Sequence, residues 1–389
     1  MQLDFHYYAT YCAAMIAGHT HDESVCIAYS AQFVDCCSRT LLDKIEGPRA
    51  AATTQLQLEL MDARTDPIGL QDITRIWSSF HFLPGDLNAA REDRCSKRYL
   101  NKYRLICNTN SELLKDTVEL ARGKGCEATG LAMHVLADTW AHRYFAGTPS
   151  LVINNTNYYF YEIVPCEGGY EERKIKFNHD PGGKDDPEKG IYTNSLYQGD
   201  ENSIMNLGHG RAGHLPDYSY ARYKYLPAWG GYREILKDNP EDYYHAFCQM
   251  VYALECLRTG VEFRTNVYDF EAVKPWEAEI KAFLVKRQTD ARADWKALGE
   301  KISDCKIPDF DIERYQKEYR DALADAKDST FLGRFIIAAL AQKSMVTNRI
   351  FNSGNMLAGV SVDFEKSGFR GIRDYSKLVK EHERRRKDG

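Results

Sequence analysis

The sequence GLAMHVLADTWAHRYFAG, residues 130–147, combines apolar character with three potential metal ligands at a regular spacing. His134, Asp138 and His142 follow one another at intervals of four residues. On an α-helix a step of four residues advances only about 40° around the axis, so the three side chains share one narrow face. The residues around them are mostly apolar: Leu131, Met133, Val135, Leu136 and Trp140. The stretch predicts an apolar helix that carries three metal-binding side chains in a line.

The chemistry and spacing of this triple favour more than one metal ion. Neutral imidazole and carboxylate are ligands that zinc and similar divalent ions accept. His134 and His142 would lie about 12 Å apart along the helix axis, which is too far for one ion to contact both easily. Asp138 would then stand between two ions. The alternative is a set of core histidines satisfied within the protein, although a carboxylate buried without a partner is costly.

Composition and charge bound the class of protein. The chain has 389 residues and 43% apolar residues, enough for one large domain or two ordinary ones with a sizeable core. Its net charge is −5, from 51 basic and 56 acidic residues that are well mixed. Such a chain has no overall basic field to attract nucleic acid or an anionic membrane.

The cysteines and the first residues indicate the compartment. The eleven cysteines are odd in number, and several lie in apolar runs, which is typical of buried free thiols in a reducing compartment. The sequence MQLDFHYY at the start has neither a charged n-region nor an apolar h-region, and no run of 18 apolar residues occurs. We therefore expect a soluble, cytoplasmic protein without a transmembrane segment.

Two predicted helices near the start each carry a candidate ligand. Residues 4–17 have a helical pattern, with Asp4 as a possible N-cap and His6 in the first turn. A second helix is predicted over residues 23–45, and Asp35 lies on its apolar face. Asp35 is either a buried carboxylate bonded to neighbouring groups or a metal ligand that projects into the interior.

His81 is an isolated histidine between Phe80 and Phe82, just before the turn signal Pro84-Gly85. It is either part of the core or a ligand held on a rigid segment. Upstream of it, LQLELM at residues 56–61 alternates apolar and polar residues and predicts a short strand.

A region of different composition follows the central helix. LVINNTNYYFYEIV and ERKIKFNHD predict strands separated by turns rich in glycine and asparagine, so residues 148–206 are interpreted as a β-rich insertion. Helices are predicted again over residues 240–260 and at about 275–301, 309–326 and 329–351. Residues 371–389 form a charged C-terminal tail.

Histidines and an acid recur in a glycine-rich segment, GHGRAGHLPD at residues 208–217. His209, His214 and Asp217 lie close together there, and glycines allow the backbone to approach a bound group. His214 and Asp217 are three residues apart and share a face if a helix starts near Pro216. The alternative is a glycine-rich surface loop.

In this order the motifs resemble the zinc-dependent phospholipase C and P1 nuclease superfamily, helical enzymes that hold three zinc ions in a cleft. A helix with His, Asp and His is the most specific mark of that superfamily, and HVLADTWAH at residues 134–142 is similar to it. The resemblance spans roughly residues 4–225. The motifs DFHYYATY, AQFVD, FHFLPG and GHGRAGHLPD more narrowly resemble an uncharacterised bacterial family within the superfamily.

The resemblance implies three zinc sites, two of which share Asp138. The first would take Asp35, His81, His134 and Asp138. The second would take His142, His214 and Asp217. The third would take His6 together with Asp138.

Three departures from the superfamily pattern leave alternatives open. Its third metal is usually held by the amino and carbonyl groups of a processed N-terminal tryptophan, which this chain lacks, so Asp4 is a further candidate ligand. In the superfamily, the second histidine of this helix usually lies further beyond the aspartate than His142 lies beyond Asp138. Its late histidine and acid are four residues apart rather than three, so His209 is a rival to His214.

The resemblance also implies a fold and a function. The expected fold is all-α, a multi-helix bundle like that of the superfamily, in a single metal-binding domain over residues 1–370 with the insertion 148–206 near the cleft. The expected function is that of a phosphoesterase with two or three zinc ions, in which a metal-activated hydroxide attacks a phosphodiester and Asp138 is the central catalytic residue. A small phosphoester, a phospholipid headgroup and nucleic acid all remain possible substrates.

Two other functions compete with this interpretation. The first is a non-catalytic helical scaffold stabilised by metals, or a partner-binding protein with a relic site, because metal binding can contribute folding energy directly. The second is a di-iron oxidoreductase, but the paired ExxH motifs of di-iron bundles are not evident.

Overall fold

Helices make up most of the chain that the structure describes. The computed structural model describes residues 1–63, 67–91, 93–180, 183–193 and 207–360. A π-helical turn, Asp4–Ala9, leads into the first α-helix. The α-helices before the sheet are α1 (Thr10–Ile16), α2 (His21–Phe33), α3 (Arg39–Lys44), α4 (Gln57–Ala63), α5 (Pro67–Phe80), α6 (Lys97–Tyr103), α7 (Glu112–Ala121), α8 (Gly125–Ala141) and α9 (Leu151–Asn154).

Helix α8 lies at the centre of the helical body. It packs against α2, α7, α10 (Asn239–Thr259) and α15 (Phe331–Asn352), and every residue from 127 to 141 is buried. Gly130 sets the distance to α2, because a Cβ at this position would lie 2.2 Å from the Ile27 carbonyl oxygen. The segment that suggested metal binding therefore forms a helix that is almost fully enclosed by other helices.

The region predicted as one helix over residues 23–45 is two helices with a turn between them. Helix α2 starts with a capping box between Thr20 and Glu23 and ends at Phe33. The carbonyl groups of Val34 and Cys37 accept hydrogen bonds from Thr53 instead of from the next helical turn. The single-helix prediction was wrong because these tertiary hydrogen bonds end α2, and Asp35 consequently lies in the turn.

The short strand predicted at residues 56–61 is also wrong. These residues lie largely in α4, whose start is stabilised by the Glu59 carboxylate, which accepts a hydrogen bond from the Leu56 N–H at 3.2 Å. Leu58 is 79% exposed, so its apolar side chain has no sheet face to cover. Alternating apolar residues do not form a strand without a partner strand.

The predicted insertion contains strands, but the sheet extends beyond it. The strands are β1 (Thr156–Cys166), β2 (Gly169–Lys174), β3 (Phe177–Asn178), β4 (Ile191–Tyr192), β5 (Arg222–Pro227) and β6 (Ile235–Asp238). Four of them form an antiparallel sheet in the order β2-β1-β5-β6, and β3 pairs with β4 in parallel. Strands β5 and β6 lie outside residues 148–206, so the β region is larger than the sequence predicted.

The sheet packs on the helical body through a small aromatic core. Phe160 of β1 and Tyr223 and Tyr225 of β5 are buried with Phe82 and Phe145, which follow α5 and α8. This contact brings residues 207–217 next to the C-terminal end of α8 and beside His142.

The C-terminal part is helical, as the sequence predicted. Helices α10 and α15 match the predictions over residues 240–260 and 329–351, whereas the helices between them are shorter than predicted. Helix α10 ends at Gly260, whose φ of 79° is left-handed. The predicted helix 275–301 is divided, and most of 309–326 is not helical. The remaining helices are α11 (Phe270–Val273), α12 (Glu277–Leu284), α13 (Arg292–Ser303) and α14 (Gln316–Asp321).

Three further expectations can be compared with the described residues. All eleven cysteines lie among them and are free thiols, as predicted. No described helix combines the length and the apolar character that crossing a bilayer requires. The predicted tail 371–389 lies outside the described residues, as do residues 181–182 and 194–206 of the predicted insertion.

Candidate metal centre

Helix α8 and its C-cap place three candidate ligands along one line. His134 and Asp138 lie one turn apart in the helix, and the exposed fraction of their side chains is at most 1%. The helix ends at Ala141, and His142 is its C-cap, with its backbone N–H donating to the Asp138 carbonyl at 2.9 Å. Other segments then bring ligands to each level of this line.

The first group, which we name the Asp138 cluster, consists of His6, His134 and Asp138. His6 Nε2 lies 3.2 Å from Asp138 Oδ1, and the His6 ring stacks on His134 at a centroid distance of 3.9 Å. His6 is fully buried, yet among the described residues neither of its ring nitrogens makes a hydrogen bond of acceptable geometry. A buried imidazole whose nitrogens are not committed to hydrogen bonds can offer a lone pair to a bound group.

The second group, the Asp35 cluster, consists of Asp35, His81 and His134. Asp35 Oδ1 lies 3.8 Å from His81 Nδ1 and 3.9 Å from His134 Nε2. The Asp35 side chain is 31% exposed, so this cluster is accessible to solvent. Asp138 Oδ2 lies 3.2 Å from the same two nitrogens, so Asp138 faces both clusters with different oxygen atoms.

The third group, the Asp217 cluster, consists of His142, His209 and Asp217. His142 Nε2 lies 3.2 Å from Asp217 Oδ1, and His209 Nε2 lies 3.7 Å from Asp217 Oδ2. Asp217 closes a 3₁₀ turn, Leu215–Asp217, that directly precedes β5. In all three groups the potential ligand atoms lie within 4.8 Å of one another.

Backbone carbonyl groups fix the orientation of four of the five histidines. A carbonyl oxygen carries no proton, so the ring nitrogen bonded to it must be the donor. Metal-binding histidines typically donate their outer N–H in this way, which fixes the tautomer. The donor–acceptor pairs are His134 Nδ1 to Ala31 at 2.9 Å, His81 Nε2 to Thr53 at 3.0 Å, His142 Nδ1 to His81 at 2.7 Å and His209 Nδ1 to Gly213 at 2.7 Å.

In the neutral form of these rings, the inward nitrogens carry lone pairs. His81 Nδ1 and His134 Nε2 face each other at 3.3 Å, and both face Asp138 Oδ2. Three acceptors at this separation repel one another unless a proton or a metal cation lies between them. Core histidines satisfied by one another would instead alternate donors and acceptors.

Burial keeps several of these rings neutral. Burial lowers the pKa of His6 to about 4, with a further contribution from His134. Burial likewise lowers the pKa of His134 and that of His209 to about 4, against the opposing effect of a nearby aspartate. Neutral imidazole is the form that binds a metal ion.

Asp138 and Asp217 stay ionised, and a cationic group lies between them. Burial opposes ionisation of Asp138 and Asp217, but neighbouring imidazoles and the Met1 amino group hold both pKa values well below the usual range. The Met1 nitrogen lies 3.0 Å from Asp138 Oδ1 and 3.1 Å from Asp217 Oδ1. Burial disfavours its charge as well, yet the aspartates raise its pKa to about 11. The field between the two aspartates therefore favours a cation.

The donor set fits divalent metal ions. Five imidazoles and three carboxylates form three groups around α8, and nitrogen with oxygen ligands suits zinc better than magnesium or calcium. The groups are compatible with two or three metal ions, and their composition does not identify the metal.

Two predicted ligands lie elsewhere. His214 was expected beside His142, but its Nδ1 lies 2.6 Å from Asp185, and its rival His209 is the histidine beside Asp217. The 3₁₀ turn Leu215–Asp217 separates the side chains of His214 and Asp217, so these two residues do not share a helical face. Asp4 is occupied by backbone groups, since its carboxylate accepts hydrogen bonds from Phe5 at 2.8 Å and Ala291 at 3.1 Å.

Two groups that contact predicted ligands were not themselves predicted. The Met1 nitrogen had a signal in the sequence, because the resembled superfamily uses an N-terminal amino group as a ligand. Asp185, the partner of His214, lies in a segment that sequence analysis interprets as a flexible loop, and no pattern there indicates its contact.

A cavity lies beside the candidate centre. Its volume is about 190 Å³, and His209 belongs both to its wall and to the Asp217 cluster. Other residues of the wall are Leu60, Trp77, Phe82, Gly213 and His214. A ligand in this cavity would contact the candidate centre from one side.

Comparison with known proteins identifies a family but no characterised relative. The model of a family of unknown function, DUF6765, matches residues 1–350. Neither the search of curated proteins nor that of solved structures gives a match. Since the match covers most of the chain, this protein belongs to the DUF6765 family of unknown function.

Proposed function

We propose that this protein is a divalent-metal-dependent hydrolase of phosphoesters, with zinc as its metal. The observation that carries the proposal is the orientation of four histidines, each of which donates one N–H to a backbone carbonyl and directs its other nitrogen towards an aspartate: His81, His134, His142 and His209. The resemblance of the helix motif to the zinc-dependent phospholipase C and P1 nuclease superfamily supports the same chemistry.

The residues that would hold each ion follow from the three clusters. His6 and Asp138 would hold one, Asp35 with His81 and His134 a second, and His142 with His209 and Asp217 a third, while Asp138 joins the first two. Zinc at such ligands supplies Lewis-acid activation of water and neutralises phosphoryl charge.

The charge of the loaded site would favour an anionic substrate. Three divalent ions carry six positive charges, whereas Asp35, Asp138 and Asp217 supply three negative charges. Histidines that bind a metal ion do so as neutral imidazole and add no charge. A cationic site with an open side at Asp35 suits the phosphoryl oxygens of a monoester or diester.

A structural role for the metals is the alternative that one observation favours. His6, His134 and Asp138 have at most 1% of their side chains exposed, as in closed structural sites. In that case the metals would stabilise the contact between α2 and α8 and would catalyse no reaction. The metal-loaded protein would then be inactive, and chelation would lower its free energy of unfolding.

The first experiment measures metal content and activity on the same preparation. Purified protein is expected to contain two or three zinc ions and to hydrolyse a generic phosphodiester, such as bis(p-nitrophenyl) phosphate. A chelator should abolish the activity and added zinc should restore it. Bound zinc without hydrolysis of phosphodiesters or phosphomonoesters would contradict the proposal and favour the structural role.

Matched variants assign the ions. Asp138→Asn should reduce the zinc content by up to two ions and the activity to background, because two clusters lose a ligand. Asp217→Asn should remove one ion only. Asp43→Asn is the control, because Asp43 pairs with Arg49 at the surface and should change neither quantity. Unchanged zinc content in Asp138→Asn would exclude Asp138 from the centre.

A further inference from the structure

His214 and Asp185 form a pair in the wall of the cavity beside the candidate centre. His214 Nδ1 lies 2.6 Å from Asp185 Oδ2, and the Asp185 side chain is 6% exposed. Asp185 also accepts a hydrogen bond from the Tyr218 hydroxyl at Oδ2 and one from the Tyr192 backbone N–H at Oδ1, at 2.7 Å. A carboxylate that accepts from both neighbours is an acceptor for His214 as well, so Nδ1 is the donor.

The loop before His214 holds this ring in place relative to His209. The His214 backbone N–H donates to the Tyr192 carbonyl at 3.2 Å, and the Gly213 carbonyl accepts from His209 Nδ1. Gly213 has a φ of 57°, and a Cβ there would lie 1.9 Å from the Tyr192 carbonyl oxygen. The glycine thus permits an approach that couples both histidines to one rigid turn.

The remaining ring nitrogen of His214 is available to a ligand. Nδ1 is committed to Asp185, and within the described ranges Nε2 has no hydrogen-bond partner. The His214 side chain is 40% exposed, and it lines the same cavity as His209 of the Asp217 cluster. A substrate in this cavity would therefore meet the candidate centre and His214 Nε2 together.

The other histidines of this region are not proton donors towards the substrate. His142 and His209 donate their outer N–H to backbone carbonyls, and as metal ligands in the proposed site they would direct lone pairs inward. Hydrolysis of an ester with a poor leaving group requires a proton at the leaving oxygen. The His214 ring, paired with a carboxylate and outside all three clusters, has the chemistry for that task.

Building on the proposed phosphoesterase function, we propose that His214 is a catalytic residue that protonates the leaving group, and that Asp185 is its positioning residue. As the oxygen of the attacking water forms a bond to phosphorus and releases a proton to solvent, the bond between phosphorus and the leaving oxygen breaks and its electron pair passes to that oxygen. The oxygen then forms a bond to the proton released by His214 Nε2. The imidazole becomes neutral and regains a proton from solvent, while Asp185 keeps the ring oriented through Nδ1.

The test compares two phosphodiesters that differ only in the leaving group, which is p-nitrophenolate in one and an alkoxide in the other. Nitrophenolate leaves without a proton, whereas an alkoxide does not. His214→Ala should lower kcat/KM for the alkyl ester by about 10²–10⁴-fold and for the nitrophenyl ester by less than about tenfold. Asp185→Asn should change the two substrates in the same unequal way.

Metal content separates this role from that of a ligand. His214→Ala should keep the wild-type zinc content, whereas His209→Ala should lose one ion. His214→Gln preserves much of the side-chain volume and serves if the alanine variant does not fold. His19→Ala is the matched control, because its ring contacts only the Leu254 carbonyl and Glu23 among the described residues.

The outcomes distinguish the two proposals. Equal losses on both substrates, full activity on the alkyl ester, or loss of zinc in His214→Ala would overturn the role of His214 and leave the phosphoesterase intact. A zinc-loaded wild-type protein that cleaves neither substrate would overturn both. A selective loss on the alkyl ester with unchanged zinc content would establish the proton donor.

Discussion

Substitution of Gly130 by alanine tests whether the contact between α2 and α8 supports the metal centre. An alanine Cβ would lie 2.2 Å from the Ile27 carbonyl oxygen and 2.6 Å from Ser30 Cβ, whereas ordinary contacts start at 3.4 Å. The two helices would have to separate by roughly 1 Å, because the obstructing oxygen belongs to the backbone. The hydrogen bond from His134 to the Ala31 carbonyl, now 2.9 Å, spans these helices and would be lost.

The structure sets two magnitudes for this variant. Overpacking costs about 1–3 kcal/mol, and alanine recovers about 1 kcal/mol of helix propensity, so the net loss should be about 0–2 kcal/mol. Loss of the carbonyl that orients His134 should weaken zinc binding by about 10–100-fold. Denaturant titration measures the free energy of unfolding, and competition with a chromophoric chelator measures zinc affinity.

Ala132→Gly provides the matched control for this experiment. Ala132 lies on the opposite side of α8, where it faces α7 and α15. Glycine there should cost about 1 kcal/mol through helix propensity while leaving the His134–Ala31 hydrogen bond intact. Zinc affinity should then stay unchanged at a similar loss of stability. Equal zinc affinities in Gly130→Ala and Ala132→Gly would refute the link between helix contact and metal binding.

Two further predictions concern stability. In metal-free protein the free energy of unfolding should fall as the pH drops from about 6.5 to 4. The loss should reach up to about 3 kcal/mol for each of His6 and His134, because histidines take up protons near pH 6.5 in the unfolded chain, whereas these two do so only near pH 4 in the folded protein. Urea titrations in chelator between pH 7 and 4.5 measure this, and a flat profile would contradict it. Lys237→Met should lower the free energy of unfolding by about 3–5 kcal/mol, because it leaves the largely buried Asp242 without its lysine partner. The double variant Lys237→Met/Asp242→Leu should recover most of that loss, and an additive double variant would show that the pair does not act as a unit.

One part of the candidate metal centre depends on a single helix, and the rest depends on contacts between segments far apart in the chain. The line of His134, Asp138 and His142 could be predicted from spacing, because helical geometry relates residues four apart regardless of the surrounding fold. The mainly helical character and the strands after residue 150 followed equally from periodicity and turn residues. These are properties of short segments, and the structure contains them at or near the expected positions.

The choice between His209 and His214 required the tertiary structure. Both lie in one glycine-rich segment, and sequence spacing slightly favoured His214. The sheet, which includes strands beyond the predicted insertion, positions this segment so that Gly213 packs on Tyr192 and His214 turns to Asp185. No short-range pattern encodes a contact between residues 185 and 214.

What the sequence alone determined is the central helix, its ligand line and the helical class of the protein. Only the tertiary structure decided which distant groups complete the sites. Asp35 comes from a turn that hydrogen bonds from Thr53 stabilise, and backbone carbonyl groups orient the histidine rings. The physical reason is that metal ligation depends on distances of a few ångströms between segments far apart in the chain. Such distances follow from the packing of helices and sheet as a whole, whereas the spacing along one helix is fixed by its hydrogen bonds.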